Sequence, residues 1–272
     1  MRIGMLLRNS GPLSTASYIK GCARAAETVG LDDLWVIDHI AIPPDDAEGS
    51  GGRYVDPLAT LAFAAGVTEQ IGLGVAVLVV PYRPALATAK WVAAIQELSQ
   101  GRLSLGVGAG WMAAEFKALG VPREQRGRIT DDTLAFLHDC FAHDVVSANG
   151  QAFIFSPRPT RPPILIGGSG EHVMRRILRF GDGWIPMTSD IEKLRTPIAE
   201  LTTALAAAGK PAPQVIPLTR IDLADVDRAA AQLAELAAIG VTGLSHAERY
   251  DSVDAFSAAA ERLLEVRQRA GL

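Results

Sequence analysis

The chain is short of cysteine, has no excess of basic residues and contains no long apolar run. Two of its 272 residues are cysteines, Cys22 and Cys140, and they form no CxxC pair. That argues against a disulfide framework and a thiolate zinc site, and fits a reducing compartment. Lys and Arg number 26 against 30 Asp and Glu, a net charge of -4. A nucleic-acid surface usually needs a basic stripe, so none is expected. The longest apolar run, Val75 to Val80, stops at Pro81 and is far shorter than the roughly 18 residues of a membrane span. The apolar run in MRIGMLLRNSGPL is too short for a secretion signal. The expected place is the cytoplasm, without a membrane partner. There is no internal repeat, no low-complexity tract, no metal-ligand constellation and no nucleophile elbow. GGSGE lacks the spacer before Ser169 that a GxSxG turn needs.

What is present is a hydrophobic fraction of 49%, enough for a substantial core. The chain alternates short apolar strands with amphipathic helices. Strands are expected at Arg2–Leu7, Asp33–Ile37, Ile71–Val80, Leu103–Val107, Ile164–Ile166, Gly183–Met187, Val215–Leu223 and Val241–Ser245. Nearly all are followed by a helix. Gly30 reads as a helix C-cap and Asp56-Pro57 as a helix start. Eight such units point to a (β/α)₈ TIM barrel spanning residues 1–272 as one domain. Strand count alone does not show closure, so an open doubly wound sheet is the rival. The segment 145–163 differs: Asn149-Gly150 is a hairpin turn signal between apolar flanks, read as a small insertion.

The chain is organised around GRLSLGVGAGWMAAEFKALG, Gly101 to Gly120. Gly106, Gly108 and Gly110 lie two apart, so in a continuous strand they share one face. Such a face admits a flat ligand, or serves a crowded barrel interior that needs small residues. Trp111 stands where a dinucleotide fingerprint needs its third Gly.

In a barrel of this kind the active site lies at the carboxyl ends of the strands. Asp38 and His39 follow the second strand. His39 is the candidate general base, and Asp38 is placed to orient it or to hold a ligand. Ala76, Val77 and Val79 offer an aliphatic wall for an aromatic ring. Arg83, just beyond, is a candidate contact for a substrate anion or a solvated side chain. Gly167-Gly168-Ser169-Gly170 follows a strand and opens a helix, which suits a phosphate. No Lys-Ser/Thr follows, so nucleotide hydrolysis is not indicated. His246, after the eighth strand, is a second candidate for substrate contact.

GRLSLGVGAGWMAAEFKALGVPREQRGR, PPILIGGSG and GDGWIPM together resemble the bacterial luciferase-like monooxygenase superfamily, and within it the branch that uses coenzyme F420. The likeness runs from VIDHI to GVTGL. It implies a (β/α)₈ barrel with a flavin or deazaflavin lying across its top. Asp38 and His39 match an acid–His pair in which the His serves as base or substrate ligand. Ala76-Val77 match a strand bulge with a non-proline cis peptide behind the ring. Gly110, Trp111 and Glu115 are assigned to the same cofactor site, Gly167 to Gly170 to its phosphate, and Thr188 to its vicinity. In the sugar-phosphate dehydrogenases of this branch a Glu and an Asn follow the glycine run. Here Trp111 and Ala114 stand there, which argues against a sugar-phosphate substrate. The expectation is an F420-dependent oxidoreductase acting on a small organic substrate as a homodimer. The alternatives are an FMN-dependent monooxygenase and a non-catalytic flavin-binding or partner subunit.

Overall fold

The computed structural model describes residues 1–272. Eight parallel barrel strands alternate with helices. The first half runs β1 (Arg2–Leu6), α1 (Ala16–Val29), β2 (Asp33–Val36), α2 (Pro57–Ala65), β3 (Gly72–Val79), α3 (Ala85–Leu98), β4 (Leu103–Gly108), α4 (Ala113–Leu119) and α5 (Arg126–Ala142). The antiparallel hairpin β5 (Val145–Ala148) and β6 (Gln151–Ile154) then stands apart as a two-stranded sheet. The second half runs β7 (Ile164–Gly167), α6 (Glu171–Phe180), β8 (Gly183–Ile185), α7 (Ile191–Ala207), β9 (Gln214–Val215), β10 (Leu218–Thr219), α8 (Val226–Ala238), β11 (Gly243–His246) and α9 (Val253–Arg269).

Local chemistry sets most of these limits. Asp56 caps α2, its carboxylate accepting from the Leu58 and Ala59 amides, with Pro57 at the first helical position. Gly30 closes α1 at φ 92°, a conformation glycine adopts without strain. Asn149 and Gly150 turn the hairpin with φ of 51° and 79°, as a type I′ turn demands.

The sheet order is β10-β11-β1-β2-β3-β4-β7-β8-β9. The pieces β9 and β10 are one barrel strand in two halves. Both neighbours bond across the break: Ile216 N–H donates to Trp184 and Leu218 N–H to Pro186, while Thr242 N–H donates to Val215 and Ser245 N–H to Pro217. The barrel is therefore closed. A continuous strand over Val215–Leu223 is not found, because Pro217 has no N–H for the ladder.

Most of the core lies outside the barrel, with 56 buried residues in its largest cluster against 6 in the lumen cluster. The lumen is filled by Trp35, Ala76, Leu165, Ile185, Ile216 and Leu218, and glycines make room for them. A Cβ on Gly4 would lie 2.7 Å from the Trp35 indole nitrogen, and one on Gly106 2.6 Å from Ile185 Cδ1. The glycine run of β4 thus faces a packed interior. A flat ligand against Gly106 and Gly108 is overturned, since Ile185 and Val77 already occupy that space. Gly110 lies beyond the strand, in a turn at φ 79°.

Candidate active site at the barrel mouth

The register of β3 against β4 slips by one residue between Val75 and Leu78. This bulge turns both Ala76 and Val77 toward the lumen, where Val77 packs on the lumen cluster. The Ala76–Val77 peptide is cis. A Cβ on Gly108 would fall 2.6 Å from Val77 Cγ2, and one on Gly167 2.5 Å from Val77 Cγ1. Val77 is thus wedged between β4 and β7 and remains partly exposed, forming a floor at the carboxyl end of the strands.

His39 stands on one side of that mouth. Its Nδ1 lies 3.1 Å from Glu115 Oε2. Glu115, only 1% exposed, comes from α4, 76 residues away in the chain. Its carboxylate also accepts from the Ile40 amide (2.6 Å), the Ala41 amide (3.1 Å) and the Tyr82 hydroxyl (2.8 Å). Burial alone would raise the Glu115 pKa. The bonds from His39, the two amides and Tyr82 outweigh it and hold the group at about 2. The ionised carboxylate only accepts, so His39 donates to it from Nδ1. The imidazole is further set by the Tyr54 ring, with centroids 5.0 Å apart, and by Trp111 edge-on at 6.2 Å.

The orienting acid is therefore Glu115, and two assignments change. Glu115 has no exposed surface to offer a cofactor. Asp38, 5% exposed, neither orients His39 nor faces a ligand. It takes a bidentate pair from Arg83 at 2.6 and 2.9 Å and the Val79 amide at 2.8 Å. Arg83 also reaches Asp56 at 2.8 Å. Burial works against its charge, but the bonds to Asp38 and Asp56 raise its pKa overall. Arg83 is neither solvated nor free for a substrate anion: it ties the end of β2 to the turn after β3 and the start of α2. His246 is also withdrawn. Gly243 packs toward Ile216 in the lumen, so by alternation His246 points outward. It is fully buried, and its Nδ1 lies 3.3 Å from the Ile221 amide. Burial lowers its pKa against the pull of Glu248.

On the other side of the mouth, Gly168 and Gly170 take φ of 108° and 86°. Ser169 is exposed, and no side chain caps the first amides of α6. Uncapped N–H groups and a helix dipole of this kind could cradle an anion. The loop is fixed from below by Trp184, whose indole donates to the Gly168 carbonyl at 2.8 Å. Thr188 follows β8, half-buried, its hydroxyl accepting from the Asp190 amide. Ile40, Trp111 and Met187 leave 46%, 68% and 62% of their surface exposed around the rim. The structure thus brings His39, Val77, Trp111, Gly167–Gly170 and Thr188 to one end of the barrel. Asn9 was not singled out from sequence. Fully buried, it clamps the Ile37 backbone just before His39 through both ends of its amide. An isolated polar residue after β1 carries no local signal of that role.

A closed (β/α)₈ barrel with a histidine–carboxylate pair and an uncapped helix start at the carboxyl ends of its strands defines the class of TIM-barrel proteins. Within that class the chain belongs to the luciferase-like monooxygenase family, whose profile matches residues 1–270. It is 31% identical over 262 residues to an uncharacterized protein of Mycobacterium tuberculosis, covering 89% of this chain and 90% of that one. It is 29% identical over 225 residues to the F420-dependent hydroxymycolic acid dehydrogenase of the same organism (79% and 61% covered). It is 27% identical over 204 residues to the FMNH(2)-dependent dimethylsulfone monooxygenase of Pseudomonas putida (64% and 55% covered). Among solved structures it is similar in fold to the monooxygenase RslO1 from Streptomyces bottropensis, with TM-score 0.79, 18% identity and both chains fully covered. An F420-dependent secondary alcohol dehydrogenase matches at TM-score 0.77 with 16% identity, covering 99% and 98%. Relatives thus include both F420- and FMN-dependent oxidoreductases. No helix is long and apolar enough to cross a membrane.

Proposed function

We propose that the chain is a coenzyme F420-dependent oxidoreductase that passes a hydride between the deazaflavin ring and a small organic substrate. The observation that favours the deazaflavin is a groove of about 590 Å³ running from Ala109, beside the mouth, past the first turn of α6. Arg126, Arg128, Arg176, Arg179 and His172 line it against three carboxylates. Arg128 and Arg176 pair with Asp132 and Asp131, whereas Arg126 and Arg179 have no carboxylate partner. Coenzyme F420 carries carboxylates beyond its phosphate and FMN does not, so a basic groove continuing from a phosphate cradle suits the former.

The residues present fit such a group. The cradle would hold the phosphate, and Val77 would lie under the ring. When bound, the deazaflavin supplies a two-electron hydride site whose carbon at position 5 makes the reduced form a poor partner for oxygen. His39 Nε2 takes the substrate hydroxyl proton in oxidation and returns it in reduction, while Glu115 holds the ring and its tautomer. The exposed Ile40, Trp111 and Met187 favour an apolar substrate, and Arg83 is already committed to two carboxylates. We also assign the exposed face of α2 and α3 to contact with a second copy. Trp91 and Leu98 stand there, exposed, and line a groove with Ala59, Ala62 and Ala94. Sedimentation of the wild type as a dimer and of Trp91→Glu as a monomer supports that pairing; a monomeric wild type refutes it.

The activity is tested by following deazaflavin absorbance without oxygen, against a panel of alcohols, ketones and enones. A parallel assay follows oxygen uptake with reduced FMN. Turnover with F420 supports the reading. Oxygen uptake with FMN alone overturns it, and binding without turnover of any pair favours a non-catalytic flavin-binding subunit.

A further inference from the structure

The carboxylate that orients His39 is shared with a second proton donor. Tyr82 ends the short helical turn Val80–Tyr82 after β3. Its ring is buried, 6% exposed, and meets Phe116 edge-on with centroids 5.0 Å apart. Its hydroxyl donates to Glu115 Oε2 at 2.8 Å, the oxygen that also accepts from His39 Nδ1 at 3.1 Å. Oε1 is occupied by the Ile40 and Ala41 amides. Phenol and imidazole therefore compete for one oxygen, and the 1% exposure of Glu115 leaves little water to stand in for either.

We propose that Tyr82 is a positioning residue that sets, through the shared Glu115 oxygen, how strongly His39 holds its proton. The inference rests on the reading of His39 as the proton-transfer group, although its test needs neither cofactor nor substrate. A hydrogen bond to a carboxylate draws on the charge that the other donor feels. Removing the Tyr82 hydroxyl leaves more negative charge facing Nδ1, which favours the imidazolium. The other groups around His39 do not offset this. Asp38 is neutralised by Arg83, Arg83 is held by Asp38 and Asp56, and Tyr54 and Trp111 meet His39 with their rings.

The experiment is a pH titration of the cofactor-free protein labelled with ¹⁵N-histidine. The chain has five histidines, and His39→Gln identifies the His39 signals. In the wild type the neutral ring is expected as the Nδ1–H tautomer. In Tyr82→Phe, which keeps the ring and its packing, the His39 midpoint rises by about half a pH unit. In Glu115→Gln it falls by about one unit, as loss of a contacting opposite charge requires. Incorporation of 3-fluorotyrosine at position 82, a stronger donor, moves the midpoint down, opposite to Phe. In the loaded enzyme Tyr82→Phe carries the acid limb of kcat/KM to higher pH by the shift seen in the titration. A folded Tyr82→Phe with an unchanged His39 midpoint overturns the proposal. Should that variant not fold, an unchanged midpoint with 3-fluorotyrosine overturns it equally. If the titration behaves as expected and no activity is found, the function assigned to His39 fails and the coupling stands.

Discussion

Replacing Arg83 by Met should be the most damaging single change near the mouth that touches neither cofactor nor substrate. Met keeps most of the apolar stem and removes the guanidinium. The Asp38 side chain is 0% exposed and that of Arg83 5%, so Asp38 would stay buried as an unpaired charge with one remaining partner, the Val79 amide. Asp56 contributes little to the loss, because its side chain is 45% exposed and water takes the place of Arg83. Removing one partner of a buried pair costs about 3–5 kcal/mol, against a total stability of about 5–15 kcal/mol. Urea unfolding followed by circular dichroism should show a large fall in midpoint with an unchanged slope. The double variant Asp38→Asn/Arg83→Met should recover most of it, because the penalty is the orphaned charge. A loss below about 1 kcal/mol for Arg83→Met would refute the account of this cluster as a buried clamp.

Three further outcomes are expected. His39→Gln should lower kcat by about 10²–10⁴-fold and leave cofactor affinity unchanged; equal losses in both would mean that His39 binds the cofactor. Glu115 sits at about 2 when folded, below its ordinary value near 4.5. Its contribution of about 3 kcal/mol is therefore present above pH ~4.5 and lost as pH falls toward 2. Stability measured from pH 6 to pH 2 should fall more steeply in the wild type than in Glu115→Gln, and parallel curves would contradict this. Gly108→Ala drives a Cβ to 2.6 Å from Val77 Cγ2, so a loss of about 1–3 kcal/mol and weaker cofactor binding should appear together in thermal unfolding and titration.

The barrel was readable from the chain because each unit carries its own local signal. Asp56-Pro57 starts α2, Gly30 ends α1 and Asn149-Gly150 turns the hairpin. The missed strand break at Pro217 was also a local signal, a residue without an N–H inside an apolar run. The site was less readable because its pairings are long-range. Asp38 adjoins His39 in sequence, yet alternation turns the two apart, and the acid that meets His39 comes from α4. Arg83 looks free until Asp38 and Asp56 are placed around it by β2 and α2. The glycines of β4 looked like an open face because the side chain that fills it, Val77, is turned inward by a bulge that no periodicity announces.

The most direct test of the central claim is a fluorescence titration of the purified apo protein with coenzyme F420 and FMN side by side. Tight binding of F420, weakened by Gly168→Ala at the φ 108° position of the cradle, is the predicted result. Tight binding of FMN alone would contradict it.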